Sequence, residues 1–91
     1  AEVFAWDLKK KTGTALKGHS KWVYGAAFHP SLPIAVTASY DRTLRFWDVE
    51  KGINTLTLFG FEHELYTVSF SNDGKRLFIT ETGGTAHIIN L

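Results

Sequence analysis

Residues 18–48 read GHSKWVYGAAFHPSLPIAVTASYDRTLRFWD, and this stretch decides the fold. It contains three short apolar runs that are rich in β-branched and aromatic residues. Two turn signals separate these runs, PSLP at 30–33 and YDRT at 40–43. Short apolar runs between turn-forming residues are typical of antiparallel β-strands joined by tight connections. The stretch therefore predicts a small sheet built from strands that follow one another along the chain.

A characteristic dipeptide marks each end of this stretch. Gly18 and His19 open it, and Trp47 and Asp48 close it. In these residues and their spacing, the stretch resembles one repeat of the WD-repeat family, whose members are β-propellers with four strands per blade. The resemblance implies an all-β fold, namely a segment of a WD-repeat β-propeller made of four-stranded antiparallel blades.

The stretch recurs along the chain with a period of 42 residues, inside the range of about 40–45 expected of propeller blades. Residues 18–49 fall on residues 60–91 without a gap. Four of the 32 aligned pairs are identical: Gly18/Gly60, Tyr24/Tyr66, Phe28/Phe70 and Thr43/Thr85. A partial copy at 3–8 matches 44–49 with an offset of 41. The predicted units are a partial blade at 1–17 with its third and fourth strands, a complete repeat at 18–59, and a degenerate repeat at 60–91 without a fourth strand.

Nine strands follow from this division, and no segment shows sustained helical periodicity. We predict them at 3–7, 14–16, 22–28, 34–39, 43–47, 54–58, 66–70, 76–80 and 85–89. Residues 9–13, with three lysines, are predicted to form a solvated polar turn. The small residues Gly25, Ala26 and Ala27 predict that another sheet approaches closely at this strand.

A ring cannot be completed from two repeats and a remnant, because propellers typically have about 4–8 blades. The divergence of the repeats and the absence of methionine favour a fragment of a longer propeller. The alternative is a self-assembling propeller made of several copies of this chain. In that assembly, the fourth strand of the partial blade at 1–17 would complete the last blade of a neighbouring copy. The strand at 3–7 would then have no place in a symmetric ring.

The composition excludes several classes of protein. The chain has 91 residues, 44% of them hydrophobic, a net charge of +1 and no cysteine. The small charge argues against nucleic acid as a partner, and no apolar run approaches the roughly 18 residues of a membrane span. The four histidines have no ligand-like spacing, so we expect neither a metal nor another cofactor. They are His19, His29, His63 and His87.

The resemblance implies a structural network of four side chains: His19, Thr37, Asp41 and Trp47. The chemistry supports it, because a buried indole N–H needs an acceptor and a threonine hydroxyl can supply one. That hydroxyl can donate to one imidazole nitrogen, and the other nitrogen can donate to the aspartate. The Asp–His–Thr order also resembles a catalytic triad, but no motif for an oxyanion site accompanies it. We therefore expect no catalytic residues.

The second repeat lacks this network. Its equivalent positions carry Phe61, Ile79, Gly83 and Ile89. All four polar members are absent together, and replacing a complete network by apolar groups can be nearly neutral in stability. The sequence thus predicts an apolar substitute for the whole network, with Gly83 and Gly84 supplying the turn.

The resemblance also implies a partner-binding rim on one side of the propeller. The matching positions are Ser20, Trp22 and Tyr40 in the first repeat, and Glu62, Glu64 and Thr82 in the second. Tryptophan and tyrosine are favoured binding anchors because they bury much area at low entropic cost. Such a rim suits a ligand with one apolar and one basic feature. The alternative interpretation is packing between neighbouring loops.

The resulting functional prediction is a non-enzymatic protein–protein interaction scaffold that acts in a multiprotein complex. This prediction depends largely on the family resemblance, because fold alone does not determine function. Its partners would be other proteins or peptides, together with further blades or copies of the chain. One alternative is recognition of a modified peptide or phosphodegron, and another is an enzyme on a propeller scaffold. The resemblance implies an intracellular location, cytoplasmic or nuclear.

Overall fold

The computed structural model describes residues 3–7 and 12–91, and every regular element in them is a β-strand. The all-β prediction is therefore confirmed. The strands are β1 Val3–Asp7, β2 Thr12–Leu16, β3 Val23–Phe28, β4 Ile34–Ser39, β5 Leu44–Asp48, β6 Ile53–Leu58, β7 Leu65–Phe70, β8 Arg76–Glu81 and β9 Ala86–Asn90. None of the described residues forms a helix with the length and apolarity that crossing a membrane requires.

The predicted strands agree with these bounds to within one or two residues at each end. The main difference lies in β2, which includes Thr12 and Gly13 although both were assigned to a turn. They continue the strand because they pair with Asp7 and Trp6, so every residue of β1 has a partner in β2. The predicted turn lysines at 9–11 lie outside the described residues.

The strands form three antiparallel sheets. The first sheet pairs β1 with β2, the second has the order β3-β4-β5-β6, and the third has the order β7-β8-β9. The second and third sheets repeat the same register: Val36 pairs with Phe46 in one, and Phe78 pairs with Ile88 in the other. The described residues thus form antiparallel sheets of the kind found in propeller blades, and they do not close a ring.

A β-bulge occurs at the same position in two sheets. The register between β3 and β4 shifts between Val23 and Gly25, which leaves Tyr24 without a cross-strand partner. The register between β7 and β8 shifts in the same way around Tyr66. Because a bulge turns the extra residue away from the regular alternation of a strand, it can redirect a side chain. Both bulged residues are tyrosines that lie near the start of the first strand of their sheet.

The second and third sheets pack face to face. Their shared core consists of Val36, Ala38, Leu44, Leu65, Val68, Leu77 and Ile79. A second core, formed by Leu16, Ala35 and Trp47, joins the first sheet to the second. The second sheet is therefore covered on both faces, which explains why β4 is buried from Ala35 to Ser39.

The close approach predicted at Gly25 is present, since β3 packs against β7. A Cβ atom at Gly25 would lie 3.0 Å from the Val68 backbone nitrogen and 3.1 Å from the Thr67 Cα. Backbone atoms cannot rotate away as a flexible side chain can. We expect Gly25→Ala to lower the free energy of unfolding by about 1–3 kcal/mol, the usual cost of overpacking.

Urea denaturation of the two chains would measure this difference. The matched control is Ala26→Val, which enlarges the exposed neighbour on the same strand. We expect that control to stay within about 0.5 kcal/mol of the parent chain. Equal effects of the two substitutions would contradict the close approach of β3 and β7.

Candidate functional site

Four side chains of the second sheet and its preceding loop form one hydrogen-bonded chain. The Trp47 Nε1 donates to Thr37 Oγ1 at 2.8 Å, and Thr37 Oγ1 lies 2.5 Å from His19 Nε2. On the other side of the ring, His19 Nδ1 lies 2.8 Å from Asp41 Oδ2. The structure thus brings together His19, Thr37, Asp41 and Trp47.

The donors and acceptors in this chain have a defined direction. An indole nitrogen can only donate, so the Thr37 oxygen accepts from Trp47 and its own proton is free to donate to His19 Nε2. The proton of the neutral imidazole then lies on Nδ1, where it is donated to Asp41. Burial lowers the pKa of His19 more than the Asp41 carboxylate raises it, which favours this neutral form.

The Asp41 carboxylate receives more hydrogen bonds than the sequence predicted. Thr43 donates to its Oδ1 through the hydroxyl at 2.5 Å and through the backbone N–H at 2.9 Å. The Ser20 backbone N–H donates to Oδ2 at 3.0 Å. Burial alone would raise the pKa of Asp41, but the hydrogen bonds from Thr43 and His19 outweigh it and lower that pKa. Thr43 is one of the four residues that are identical in both repeats, and this identity was the signal in the sequence that could have indicated its role in the network.

Ser39 is a second network residue that the sequence analysis missed. Its hydroxyl donates to the Trp22 carbonyl oxygen at 2.9 Å and accepts from the Asp41 backbone N–H at 3.1 Å. Ser39 is fully buried, and it connects the loop before β3 to the turn after β4. The network therefore holds two segments of the rim in a fixed relative position.

The third sheet differs from the prediction of a purely apolar substitute. Ile79 is fully buried, and Phe61 and Ile89 pack against the shared core, as their apolar character requires. A polar network is nevertheless present. The Glu81 side chain is only 3% exposed, contacts His87 Nε2, and accepts from the His63 backbone N–H at 2.9 Å.

This second network occupies positions of the repeat that differ from those of His19, Thr37, Asp41 and Trp47. At the period of 42 residues, Glu81 corresponds to Ser39 and His63 corresponds to Lys21. Both networks connect the loop before the first strand to the rest of their sheet. The hydrogen bond from His87 is the largest cause that lowers the pKa of Glu81. A position-by-position comparison could not reveal this network, because none of its members matches His19, Thr37, Asp41 or Trp47. Only Glu81 matches a polar residue of the first network, Ser39, and the sequence had not indicated Ser39 as a network residue.

The Asp–His–Thr arrangement does not have the geometry of a nucleophilic site. Thr37 is fully buried, and its oxygen already accepts the Trp47 N–H. A substrate carbon could not reach that oxygen without disrupting the core between the first and second sheets. Within the part of the chain that the structure describes, no group of three or more His, Cys, Asp or Glu side chains is arranged to hold a metal ion.

The rim residues are held by the same backbone hydrogen bond in both repeats. The Tyr40 N–H donates to the Trp22 carbonyl oxygen at 2.9 Å, and the Thr82 N–H donates to the Glu64 carbonyl oxygen at 2.9 Å. The Trp22 side chain is 68% exposed. The structure therefore places Trp22 beside Tyr40 and Glu64 beside Thr82, whereas Ser20 and Glu62 lie exposed on the preceding loops.

Four aromatic rings meet at this rim, and we call them the aromatic patch: Trp22, Tyr24, Tyr40 and Tyr66. Tyr24 is central, with its ring centroid 6.1 Å from Trp22, 4.4 Å from Tyr40 and 5.8 Å from Tyr66. The family resemblance indicated Trp22 and Tyr40, whereas no residue pattern placed Tyr24 and Tyr66 at the rim. Both tyrosines lie where the register of their strand pair shifts. A shallow depression of about 370 Å³ adjoins the patch, lined by Ser20, Lys21, Trp22 and Tyr40.

Stability should depend on pH through His19. Its pKa in the folded chain lies below the ordinary value of about 6.5, so the unfolded chain binds more protons between these two values. The contribution of His19 is therefore complete above about pH 6.5 and is lost as the pH falls toward the folded pKa. We expect the urea concentration at the unfolding midpoint to decrease as the pH is lowered from 7.5 to 5.

The control for this prediction is His19→Gln, which can hydrogen-bond at both positions but does not titrate. Its urea midpoint should depend less on pH over the same interval. An NMR titration of the His19 Cε1 proton should give a midpoint below about 6.5. A midpoint above that value, or equal pH dependence in both chains, would contradict the neutral form.

The comparisons with known proteins agree with this geometry. The family model for the WD domain, G-beta repeat, matches residues 9–48, which end at the Trp47-Asp48 pair. Periodic tryptophan protein 2 of Arabidopsis thaliana is 39% identical over 79 residues, which are 84% of this chain and 9% of that protein.

Two further relatives match shorter segments. Coronin-7 of Rattus norvegicus is 37% identical over 65 residues, covering 70% of this chain and 7% of that protein. The F-box-like/WD repeat-containing protein TBL1Y of Homo sapiens is 51% identical over 39 residues, covering 43% of this chain and 8% of that protein. The chain thus spans less than a tenth of the length of these relatives. The matched repeat, the antiparallel sheets and these relatives together show that the chain belongs to the WD-repeat family.

Proposed function

We propose that this chain is a non-enzymatic interaction module that presents its rim to a protein or peptide partner within a multiprotein complex. The family supports the general role, since WD-repeat proteins are generally interaction scaffolds. The single observation that carries the proposal is the exposed aromatic patch at the rim. The family resemblance alone also supports an intracellular location.

The patch has the properties of a binding anchor. Trp22 is 68% exposed and Tyr66 is 52% exposed, although large aromatic side chains are among those that gain most from burial. The backbones of Trp22 and Tyr40 are held by hydrogen bonds, because the Tyr40 N–H and the Ser39 hydroxyl both donate to the Trp22 carbonyl oxygen. A rigid aromatic side chain loses little entropy on binding, so such residues often dominate binding energy.

Packing between neighbouring loops accounts for only part of this arrangement. The Tyr24 and Tyr40 rings lie 4.4 Å apart and partly cover each other. Trp22, in contrast, contacts Tyr24 at 6.1 Å on one side and leaves most of its surface in solvent. This exposure favours a partner over loop packing as the reason for a tryptophan at position 22.

Recognition of a phosphate has less support from the arginines. The Arg42 guanidinium already lies 3.6 Å from the Glu64 carboxylate, and the Arg45 guanidinium donates to Asn54 at 2.7 Å. Arg76 lies on a different strand, at the opposite end of the third sheet from the rim. A phosphate site usually combines several free donors, and these three side chains are not gathered in that way.

The test is selection of a random peptide library displayed on phage against the full chain. The comparison is the double variant Trp22→Ala/Tyr40→Ala, whose fold is verified by circular dichroism and its thermal midpoint. Enriched peptides should bind the parent chain and lose at least about tenfold in affinity for the variant. The matched control is Phe28→Ala/Leu32→Ala, which removes two exposed apolar side chains at the other end of β3 and β4.

Three results would contradict the proposal. Peptides that bind the folded Trp22→Ala/Tyr40→Ala variant as well as the parent chain would exclude the rim as the site. Turnover of ester, phosphate-ester or peptide reporter substrates above the buffer rate would show an enzyme. Loss of binding in the Phe28→Ala/Leu32→Ala control alone would move the site to the opposite end of the sheet.

A further inference from the structure

We propose that the aromatic patch, together with Glu62 and Glu64, receives a single arginine side chain from an extended segment of the partner protein. This inference rests on the proposed function and specifies the chemistry of the partner. Its basis is the combination of solvent-facing aromatic rings with carboxylates at one end of the same surface.

The aromatic rings offer faces to a cation. Trp22, Tyr24 and Tyr66 are 68%, 43% and 52% exposed, and their centroids are 6.1 Å and 5.8 Å apart in succession. The face of an aromatic ring carries partial negative charge, which attracts a guanidinium placed within about 6 Å of its centroid. Arginine is favoured over lysine here because its planar group stacks on a ring while its edges continue to donate hydrogen bonds.

The acidic residues lie at the Tyr66 end of the patch. Glu64 comes directly before β7, two residues before Tyr66, and its side chain is 31% exposed. Its own backbone hydrogen bond is the largest cause that lowers the pKa of Glu64, and Arg42 adds to the effect, so the carboxylate is charged at neutral pH. Glu62 is exposed on the same loop.

The chain already places one guanidinium at this carboxylate. Arg42 NH2 lies 3.6 Å from Glu64 Oε2, longer than a tight charge-assisted hydrogen bond, and the Arg42 side chain is 55% exposed. An exposed ion pair of this length contributes little to stability, so it can open at small cost. The carboxylate is therefore available to a partner that also gains the aromatic contacts.

The opposite end of the patch limits the number of charges that the partner can carry. Lys21 lies beside Trp22 in the lining of the shallow depression. A second cation at that end would meet a like charge, which costs binding energy. The surface therefore selects one arginine at the Tyr66 end, followed by apolar or neutral residues toward Trp22, and not a polybasic run.

The direct test titrates the chain with the peptide acetyl-Gly-Ser-Gly-Arg-Gly-Ser-Gly-amide and observes the indole N–H of Trp22 and the backbone of β7 by NMR. The matched probe carries citrulline in place of arginine, which keeps the shape and removes the charge. We expect the citrulline peptide to bind at least about tenfold more weakly. Two further probes carry phosphoserine at the same position or a run of four arginines.

Variants of the chain separate the ring contribution from simple apolar area. Tyr66→Phe keeps the aromatic face and should retain the affinity for the arginine peptide to within about twofold. Tyr66→Leu keeps an apolar side chain without that face and should lose about fivefold or more. Glu64→Gln should lose a similar factor and should reduce the preference over citrulline, since the aromatic faces remain. Tyr66 and Glu64 both reach solvent, and thermal midpoints verify the fold of each variant.

Several outcomes would overturn the inference. The first two are equal binding of the arginine and citrulline peptides, and equal effects of Tyr66→Phe and Tyr66→Leu. The others are preferential binding of the phosphoserine peptide, and an affinity for the four-arginine peptide above the statistical gain expected from four equivalent arginines. If the phage-displayed peptides still require Trp22 and Tyr40 for binding, such an outcome excludes arginine as the ligand but leaves the proposed function in place. If they do not require those residues, both proposals fail.

Discussion

Replacing Thr37 by valine should lower the free energy of unfolding by about 2–5 kcal/mol, although the two side chains have nearly the same shape. The Thr37 hydroxyl serves two buried neighbours at once. It accepts from Trp47 Nε1 at 2.8 Å and lies 2.5 Å from His19 Nε2. Valine removes the partner of both groups, and each unsatisfied buried group costs about 1–3 kcal/mol.

Burial makes this cost hard to avoid. Thr37 is fully buried and Trp47 is 1% exposed, so water cannot replace the lost hydroxyl at the indole without opening the core between the first and second sheets. The imidazole also loses the hydroxyl that lies at its Nε2. Urea denaturation at pH 7.5 would measure the loss. The slope of the unfolding free energy against urea concentration would show whether the fold remains compact.

Two controls separate the hydroxyl from the volume of the side chain. Thr37→Ser keeps the oxygen and should lose only about 1 kcal/mol, for the missing methyl group. In the Thr37→Val background, adding Trp47→Phe removes one of the two orphaned groups, so the losses should be less than additive. A Thr37→Val chain within about 0.5 kcal/mol of the parent would contradict the network as a stabilising unit.

Replacing Gly74 by alanine should lower the free energy of unfolding by about 2–4 kcal/mol, for two independent reasons. The first is the backbone, because Gly74 has a φ of 72°. Residues with a side chain pay roughly 1–2 kcal/mol in this left-handed region. The second is space, since a Cβ atom would lie 2.5 Å from the His29 Cε1 and 3.0 Å from its Cδ2.

The His29 ring cannot move aside freely. Its Nδ1 accepts the backbone N–H of Ser31 at 3.1 Å and that of Leu32 at 3.0 Å, which caps the turn between β3 and β4. The ring also packs edge-on against Phe70, with centroids 5.2 Å apart. Displacing it would release two hydrogen bonds, each worth about 1 kcal/mol. The turn in the third sheet is thereby connected to the turn in the second.

The chain itself offers matched controls for this prediction. Gly60 and Gly84 have φ values of 91° and 93°, and a Cβ atom at either would meet nothing within 4 Å. Alanine at these two positions should cost only the backbone part, about 1–2 kcal/mol. His29→Ala in the Gly74→Ala background should recover part of the difference. If alanine costs the same at positions 60, 74 and 84, the contact with His29 has no energetic role.

Much of the fold was predictable because local and periodic signals agreed. The period of 42 residues, the Pro30 and Asp73 turns and the alternating apolar residues identified all nine strands to within one or two residues at each end. The extension of β2 to Thr12 was missed, because that segment has the composition of a turn. Its strand conformation comes from pairing with Asp7, which composition does not encode.

The candidate site was predictable only in part. The family resemblance implied Trp22 and Tyr40 as rim positions, whereas the approach of Tyr24 to Tyr66 depends on the contact between β3 and β7, and both tyrosines lie at bulges. A bulge inserts one residue into the register, so its position depends on the partner strand. The contact at 5.8 Å joins residues that are 42 apart in the chain, and sequence reasoning had no distance to use.

The sequence by itself determined the strand order and the antiparallel repeat, since these depend on residue type and spacing. Together with the family resemblance, it indicated His19, Thr37, Asp41 and Trp47 of the first network. Only the tertiary structure decided that Glu81, His63 and His87 replace that network in the third sheet, and that four aromatic rings converge at the rim. Hydrogen bonds are satisfied in space and not by position in a repeat. The buried Glu81 carboxylate therefore holds the loop before β7, as Asp41 and Ser39 together hold the loop before β3.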